Sequence, residues 1–396
     1  MIASLGLLLL TFAAPALQPT PVSGSAGPAN PSETSTASSP SFEQISKSAM
    51  EAWNENRSDD AIGFFEQGLK LKPDWDDGLW YLEALFYDKH RFFEARDLLR
   101  HYLAQNPKQS QGWAMLGLCE YQLREYGHAL DHLQRSISLG LGDRAQLAQT
   151  VFYVQAILLT RNGQFDASFR LLGKMRMHYV KYGDAGTGVQ DSLEVPVGLS
   201  LLGYQLLPEE VPQDRREFVR KMGEACFALL DDNHEKAKAI FQELEREHPN
   251  EQATHFQYGS LLLEEAMHLD EDMPAGVEEM RTVLALSPFN TAARLLLAKY
   301  FMHRAQPEQA KPYLDELLKL EPLNPEAHML NGEILASAGN TTGAISEFEI
   351  ARQTTPNESQ LLWHLMRAYI AAGRHEDAAR IQTELARIHS NAPADK

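Results

Sequence analysis

Once every 34 residues the chain places a bulky apolar residue one helical turn after an alanine: Ala61 then Phe65, Ala95 then Leu99, Ala129 then Leu133, Ala310 then Leu314, Ala344 then Phe348. A four-residue step keeps each pair on one face of a helix. Another small residue stands twelve positions before most of these alanines, as Ala49, Gly117, Ala298 and Gly332 do. A proline closes the pattern eight positions after the bulky residue, at Pro73, Pro107, Pro322 and Pro356. Proline cannot continue a helix and turns its neighbour away from helical geometry. The pattern therefore predicts a first helix A, a turn and a second helix B, repeated as an array of hairpins.

With the proline at position 32, units begin at Phe42, Asp76, Ser110, Phe218, Gln252, Thr291, Pro325 and Ser359. The small residues at positions 8 and 20 mark where helices cross closely, and a bulky residue there costs ~1–3 kcal/mol of overpacking. A degenerate unit runs from about Gln149 to Tyr182, with Ser168 where alanine is expected. The unit from Gln252 is five residues longer than its neighbours, the surplus falling around Met267 to Pro274. Glu83 stands at position 8 of the second unit, where a small residue belongs.

Trp113, Leu116, Gly117 and Ala129 in the third unit, and Gly332, Gly339, Ala344, Phe348, Ala351 and Pro356 in the eighth hairpin, stand at the offsets of a known motif. The pattern resembles the tetratricopeptide repeat. That resemblance implies an all-α, right-handed superhelical solenoid whose concave surface grips another macromolecule. Helix A positions 2, 5, 9, 12 and 13 line that surface in the family. By implication Trp80, Phe256 and Trp363 at position 5, with Trp53, Tyr87 and Tyr121 at position 12, face a partner. Lys299 and Arg367 at position 9 and His303 at position 13 add a polar patch. Aromatic anchors suit a peptide or helix laid in a groove. The family's carboxylate clamp is not visible, since position 9 holds Met50, Ala84, Leu118, Cys226 and Ser260.

Residues 1–16 carry no charge, run apolar from Ile2 to Ala14 and end in Ala14-Pro15-Ala16. This reads as a signal peptide cleaved after Ala16, directing export to the periplasm or the outside of the cell. Residues 17–41 are rich in Pro, Ser, Thr, Ala and Gly, a composition that forms a linker. An amino-terminal array over 42–182, a non-repeat segment at 183–217, a carboxyl array over 218–392 and a tail at 393–396 complete the expected organisation. The split array with its divergent join is similar to secreted bacterial repeat proteins. Lys and Arg number 36 against 54 Asp and Glu, a net charge of -18, which argues against nucleic acid because phosphate binding needs a basic stripe. Cys119 and Cys226 lie in non-adjacent units and read as two buried free thiols.

Nothing in the chain asks for a catalyst, a cofactor or a metal. His128 and His132 share a helical face without the glutamate of a His-Glu-x-x-His site and read as a solvated polar face. Glu209-Glu210, Asp231-Asp232 and Asp270-Glu271-Asp272 fall between helices, where water levels the basicity that acid catalysis requires. The Gly183 to Gly188 loop lacks the lysine and preceding strand of a phosphate loop. The expected function is a non-catalytic scaffold or assembly factor for a protein or peptide, not inserted in a membrane once the signal is removed. Two alternatives stay open: an enzyme or small-ligand site at 183–217, marked by Asp191 or Glu194 converging with His178, and a membrane-anchored regulator that keeps residues 1–16.

Overall fold

A computed structural model describes residues 40–141, 145–182 and 187–391. The expected signal peptide, nearly all of the linker, the Gly183 to Gly186 stretch and the tail lie outside the described residues. The chain divides into two compact units, residues 1–85 and 86–396. The described residues form 19 α-helices and one 3-10 turn, with no strand among them, so the all-α expectation holds. No helix among them is long and apolar enough to cross a membrane.

In the first unit, α1 (Phe42–Asn54) and α2 (Ser58–Leu71) pair as a hairpin, followed by α3 (Asp76–Asp88), whose residues up to Leu85 belong here. Ser41 caps α1 through a reciprocal pair of bonds with Gln44, satisfying two donors that the first helical turn leaves open. Trp75 lies across Gly68 and Gly78, at points where a methyl group on either glycine would meet the indole at 2.4 and 2.2 Å. Its ring also contacts Phe42 and Phe65, with centroids at 5.2 and 5.4 Å.

The second unit continues through α4 (Phe92–Gln105), α5 (Ser110–Gln122), α6 (Tyr126–Leu139), α7 (Ala145–Arg161), α8 (Phe165–Tyr182) and α9 (Thr187–Leu202). It then runs through the 3-10 turn at Pro208–Glu210 into α10 (Gln213–Leu230), α11 (His234–Glu247), α12 (Gln252–Leu269) and α13 (Pro274–Leu286). Three further hairpins close it: α14 (Thr291–His303) with α15 (Pro307–Leu320), α16 (Pro325–Ser337) with α17 (Thr341–Thr354), and α18 (Ser359–Ala371) with α19 (His375–Asn391). From α4 to α19 each helix packs on its sequence neighbour, and α14, α16 and α18 also touch in succession.

The core follows the 34-residue register. The position 20 alanines from Ala61 through Ala344 are fully buried, and the position 24 residues Phe65, Leu99, Leu133, Met280 and Leu314 are fully buried beside them. The turn between helices A and B takes a left-handed residue at position 15 of eight hairpins. Asn56, His90, Arg124, Asp232 and Ala305 have φ of 53–62° there, while Gly163, Gly339 and Gly373 occupy it in the others. In the lengthened unit this residue is Asp270, because α12 gains an extra turn before reversing.

One recurring bond was not legible as a motif, because three residue types make it. From position 4, Trp113 donates to the carbonyl of Pro107, His255 to Pro249, Arg294 to Pro288 and His328 to Pro322, at 2.6–2.9 Å. The donor satisfies a carbonyl that the ending helix B leaves without an intrahelical partner.

The described part of the non-repeat segment, residues 187–217, is mostly helix. α9 runs through Pro196 and lies on α10 at backbone contact. A methyl on Gly198 would sit 1.9 Å from the Val219 carbonyl oxygen, and one on Gly223 would sit 1.9 Å from that of Glu194. The glycines permit an approach that any side chain prevents. Ser168, the exception at position 20, joins a buried hydroxyl triad. It donates to the Ala156 carbonyl at 2.8 Å, and Thr160 and Ser200 bond to it at 2.7 and 3.1 Å.

Candidate interaction surface on the A helices

The family-implied face divides into residues that pack and residues that present. In the first unit Trp53 is half-buried with its edge on Tyr81, centroids 4.9 Å apart, and Trp80 is also half-buried. In the second unit Tyr87 and Tyr121 are core residues, which corrects their assignment to a partner. Tyr87 is 6% exposed and stacks edge-on against Phe92 at 5.1 Å. Tyr121 is buried, and its hydroxyl donates to Glu209 Oε1 at 3.1 Å. Burial, then the Glu209 carboxylate, pushes the Tyr121 phenol far above its ordinary pKa. Phe256 is half-buried against the core formed by α12 to α16.

The polar predictions separate in the same way. Lys299 pairs with Glu326, and His303 is exposed with Nε2 3.8 Å from Asp270. Trp363 is 46% exposed, with the Arg367 guanidinium over its ring at 4.6 Å. Ile370, which the sequence reading did not single out, is 51% exposed one turn further along α18. Positions 363, 367 and 370 follow the i, i+4, i+7 rule and share one helical face. Beneath them His364 Nε2 lies 3.2 Å from Glu333 Oε1. Burial raises the Glu333 pKa, while burial and then Arg367 lower that of His364, so both move toward neutrality. Position 9 of α14, α16 and α18 thus carries Lys299, Glu333 and Arg367, alternating in formal charge. Ile370 stands at position 12 and is aliphatic, so a pattern of aromatic residues along the partner-facing column does not reveal it.

The acidic turns act as latches. Arg161 pairs with Glu210, Arg176 Nη2 with Asp231 Oδ2 at 2.5 Å, and Arg304 with Asp270 and Asp272 at 2.6 and 3.0 Å. His128 and His132 address different carboxylates, Glu125 at 3.8 Å and Glu120 at 2.6 Å. An open cavity of 520 Å³ lies at the connector between α9 and α10, lined by Gly203, Tyr204, Gln205, Leu206, Val211, Pro212 and Arg215. Arg215 is already committed to Glu251 at 2.5 Å and to the Tyr204 hydroxyl at 2.9 Å. Glu194 pairs with Arg220 at 2.8 Å, while the side chains of His178 and Asp191 lie outside the described residues. Cys119 and Cys226 are buried free thiols, as expected.

Stacked helical hairpins with small crossing residues define a helical repeat protein. Residues 85–145 and 295–359 match the family model "Tetratricopeptide repeat", so these two regions of the chain carry that repeat. No curated protein matches it. Among solved structures it is similar to "MamA 41-end" from Desulfovibrio magneticus RS-1, with 19% identity, 44% of this chain and 96% of that chain covered, and a TM-score of 0.40. YrrB, titled "a TPR protein with an unusual peptide-binding site", has 17% identity, 44% and 87% coverage and a TM-score of 0.37. The Cut9-Hcn1 hetero-tetramer structure has 12% identity, covers 88% of each chain and scores 0.38.

Proposed function

We propose that the chain is an exported, non-catalytic interaction scaffold or assembly factor that receives a peptide or helix from a protein partner along the A helices of its second unit. The observation that carries this reading is the exposed row Trp363, Arg367 and Ile370 on α18. A tryptophan with a cation on its face and an aliphatic neighbour combines the residue types that dominate binding energy. Arg367, the exposed cation of that row, supplies a fixed polar contact for a bound segment. Site-specific photocrosslinking tests it: p-benzoylphenylalanine in place of Ile370 should give a discrete protein adduct in envelope extract. The same probe at Arg380 on α19 should give none, and Trp363→Ala with Arg367→Ala should abolish the adduct. Equal labelling from both positions, or none from position 370, overturns the reading. Export rests on the apolar stretch ending at Ala14-Pro15-Ala16. Sequencing the mature chain should begin at Leu17, and an intact Met1 would favour the anchored-regulator alternative.

A further inference from the structure

Three chemically matched side chains converge from α11, α12 and α13. His255 reaches Glu279 Oε2 at 2.6 Å and Glu245 Oε1 at 3.2 Å through the same ring nitrogen, Nδ1. Its other nitrogen, Nε2, lies 2.9 Å from the carbonyl oxygen of Pro249. A carbonyl can only accept, so Nε2 carries a hydrogen, and Nδ1 is left to face two carboxylates. Glu245 Oε1 is buried and makes no hydrogen bond of its own. Among the described residues no lysine or arginine pairs with either glutamate.

The repeat supplies an internal control. His328 occupies the same position 4, donates through Nε2 to Pro322 at 2.9 Å and meets Glu347 at 2.6 Å through Nδ1. Glu347 corresponds to Glu279, but the counterpart of Glu245 is Leu318. The same position holds Leu69, Leu103 and Leu284 in other units. The hairpin therefore packs well with leucine there, and Glu245 introduces a half-buried carboxylate, its Oε1 enclosed, that packing does not require. Enclosing a carboxylate oxygen without a hydrogen bond is costly.

We propose that Glu245, His255 and Glu279 form a binding site for one divalent transition-metal cation, with Zn²⁺ the match to the donor set. Two carboxylates and a neutral imidazole carry two negative charges, which a divalent cation balances. Zinc ligands at 2.0–2.2 Å in tetrahedral geometry stand roughly 3.3 Å apart, so the Glu245 to His255 separation already fits and the Glu279 contact has to open. The Nε2 bond to a backbone carbonyl is the arrangement that orients a ligating histidine. An imidazole donor separates this site from those of magnesium and calcium, which favour all-oxygen sets. A fourth position is left for water, and the cation would tie three consecutive helices together. The other convergence, Glu120, Glu125 and His128, is already neutralised by Arg96 and Arg100.

Isothermal titration of the chelator-stripped full chain with zinc chloride tests the site, beside Glu245→Leu, Glu279→Gln and the control His328→Gln. The parent should bind one equivalent, with no heat from magnesium chloride. Glu245→Leu should lose about 100-fold or more in affinity, since changes behind the ligands alone cost ~10–100-fold. His328→Gln should bind as the parent does. Thermal melting monitored by circular dichroism should rise with zinc in the parent and the control only. Should Glu245→Leu fail to fold, Glu279→Gln carries the comparison. No saturable binding by the parent, or parental affinity in the folded ligand variants, overturns the proposal.

Discussion

Gly198→Ala is a single-methyl test of the α9 to α10 contact. The added carbon would lie 1.9 Å from the Val219 carbonyl oxygen, 2.9 Å from its carbon and 3.1 Å from Cγ1. The first two are backbone atoms of a helix, so no rotamer change relieves them, and the helices must separate by more than 1 Å. Overpacking of this kind costs ~3 kcal/mol, the upper end of the usual range. Alanine's better helix propensity returns ~1 kcal/mol, leaving a net loss of ~2 kcal/mol. Gly173→Ala in α8 is the matched control, because nothing lies within 4 Å of its added methyl, and it should gain ~1 kcal/mol. A repeat array need not unfold in one step, so hydrogen exchange resolved by peptide is the assay. Amides of α9 and α10 should exchange about 30-fold faster in Gly198→Ala, since 1.4 kcal/mol is tenfold, and those of α8 should slow in Gly173→Ala. Parental protection of α9 and α10 in Gly198→Ala would refute the close approach.

Ala305→Gly should stabilise the α14 to α15 hairpin by ~0.5–1 kcal/mol, because Ala305 holds φ at 53°, where a side chain costs ~1–2 kcal/mol and glycine's extra freedom in the unfolded chain returns part of the gain; urea unfolding checks it. Ser168→Ala restores the repeat's usual residue yet should destabilise α7 to α9 by ~1 kcal/mol, since Thr160 and Ser200 keep only their bond to each other at 2.8 Å, and a gain in local protection would contradict the triad. Burial pushes the Cys226 thiol up to about 12, so neither it nor the fully buried Cys119 should react with a disulfide reagent at pH 8 until urea unfolds the chain. Native-state labelling at either cysteine would count against the packing of α5 or α10.

The sequence by itself determined what repeats. Alanines at position 20, bulky residues at position 24 and closing prolines each answer a packing need met within one hairpin or the next, so the need recurs in print every 34 residues. The turn residue at position 15 was fixed in place but not in type: Arg124 and Ala305 adopt the left-handed geometry that Gly339 and Gly373 adopt more easily, because the two packed helices dictate the reversal. Tertiary structure decided whatever depends on partners far along the chain. Tyr121 looked like a binding aromatic until Glu209, 88 residues away, claimed its hydroxyl. The segment around Pro196 has no repeat pattern, yet it is helical because Gly198 and Gly223 let α10 supply a surface at backbone contact. Trp363 and Tyr87 are both aromatic and stand on the same predicted face. Only their neighbours, an exposed Arg367 for one and Phe92 for the other, separate a surface anchor from a core residue.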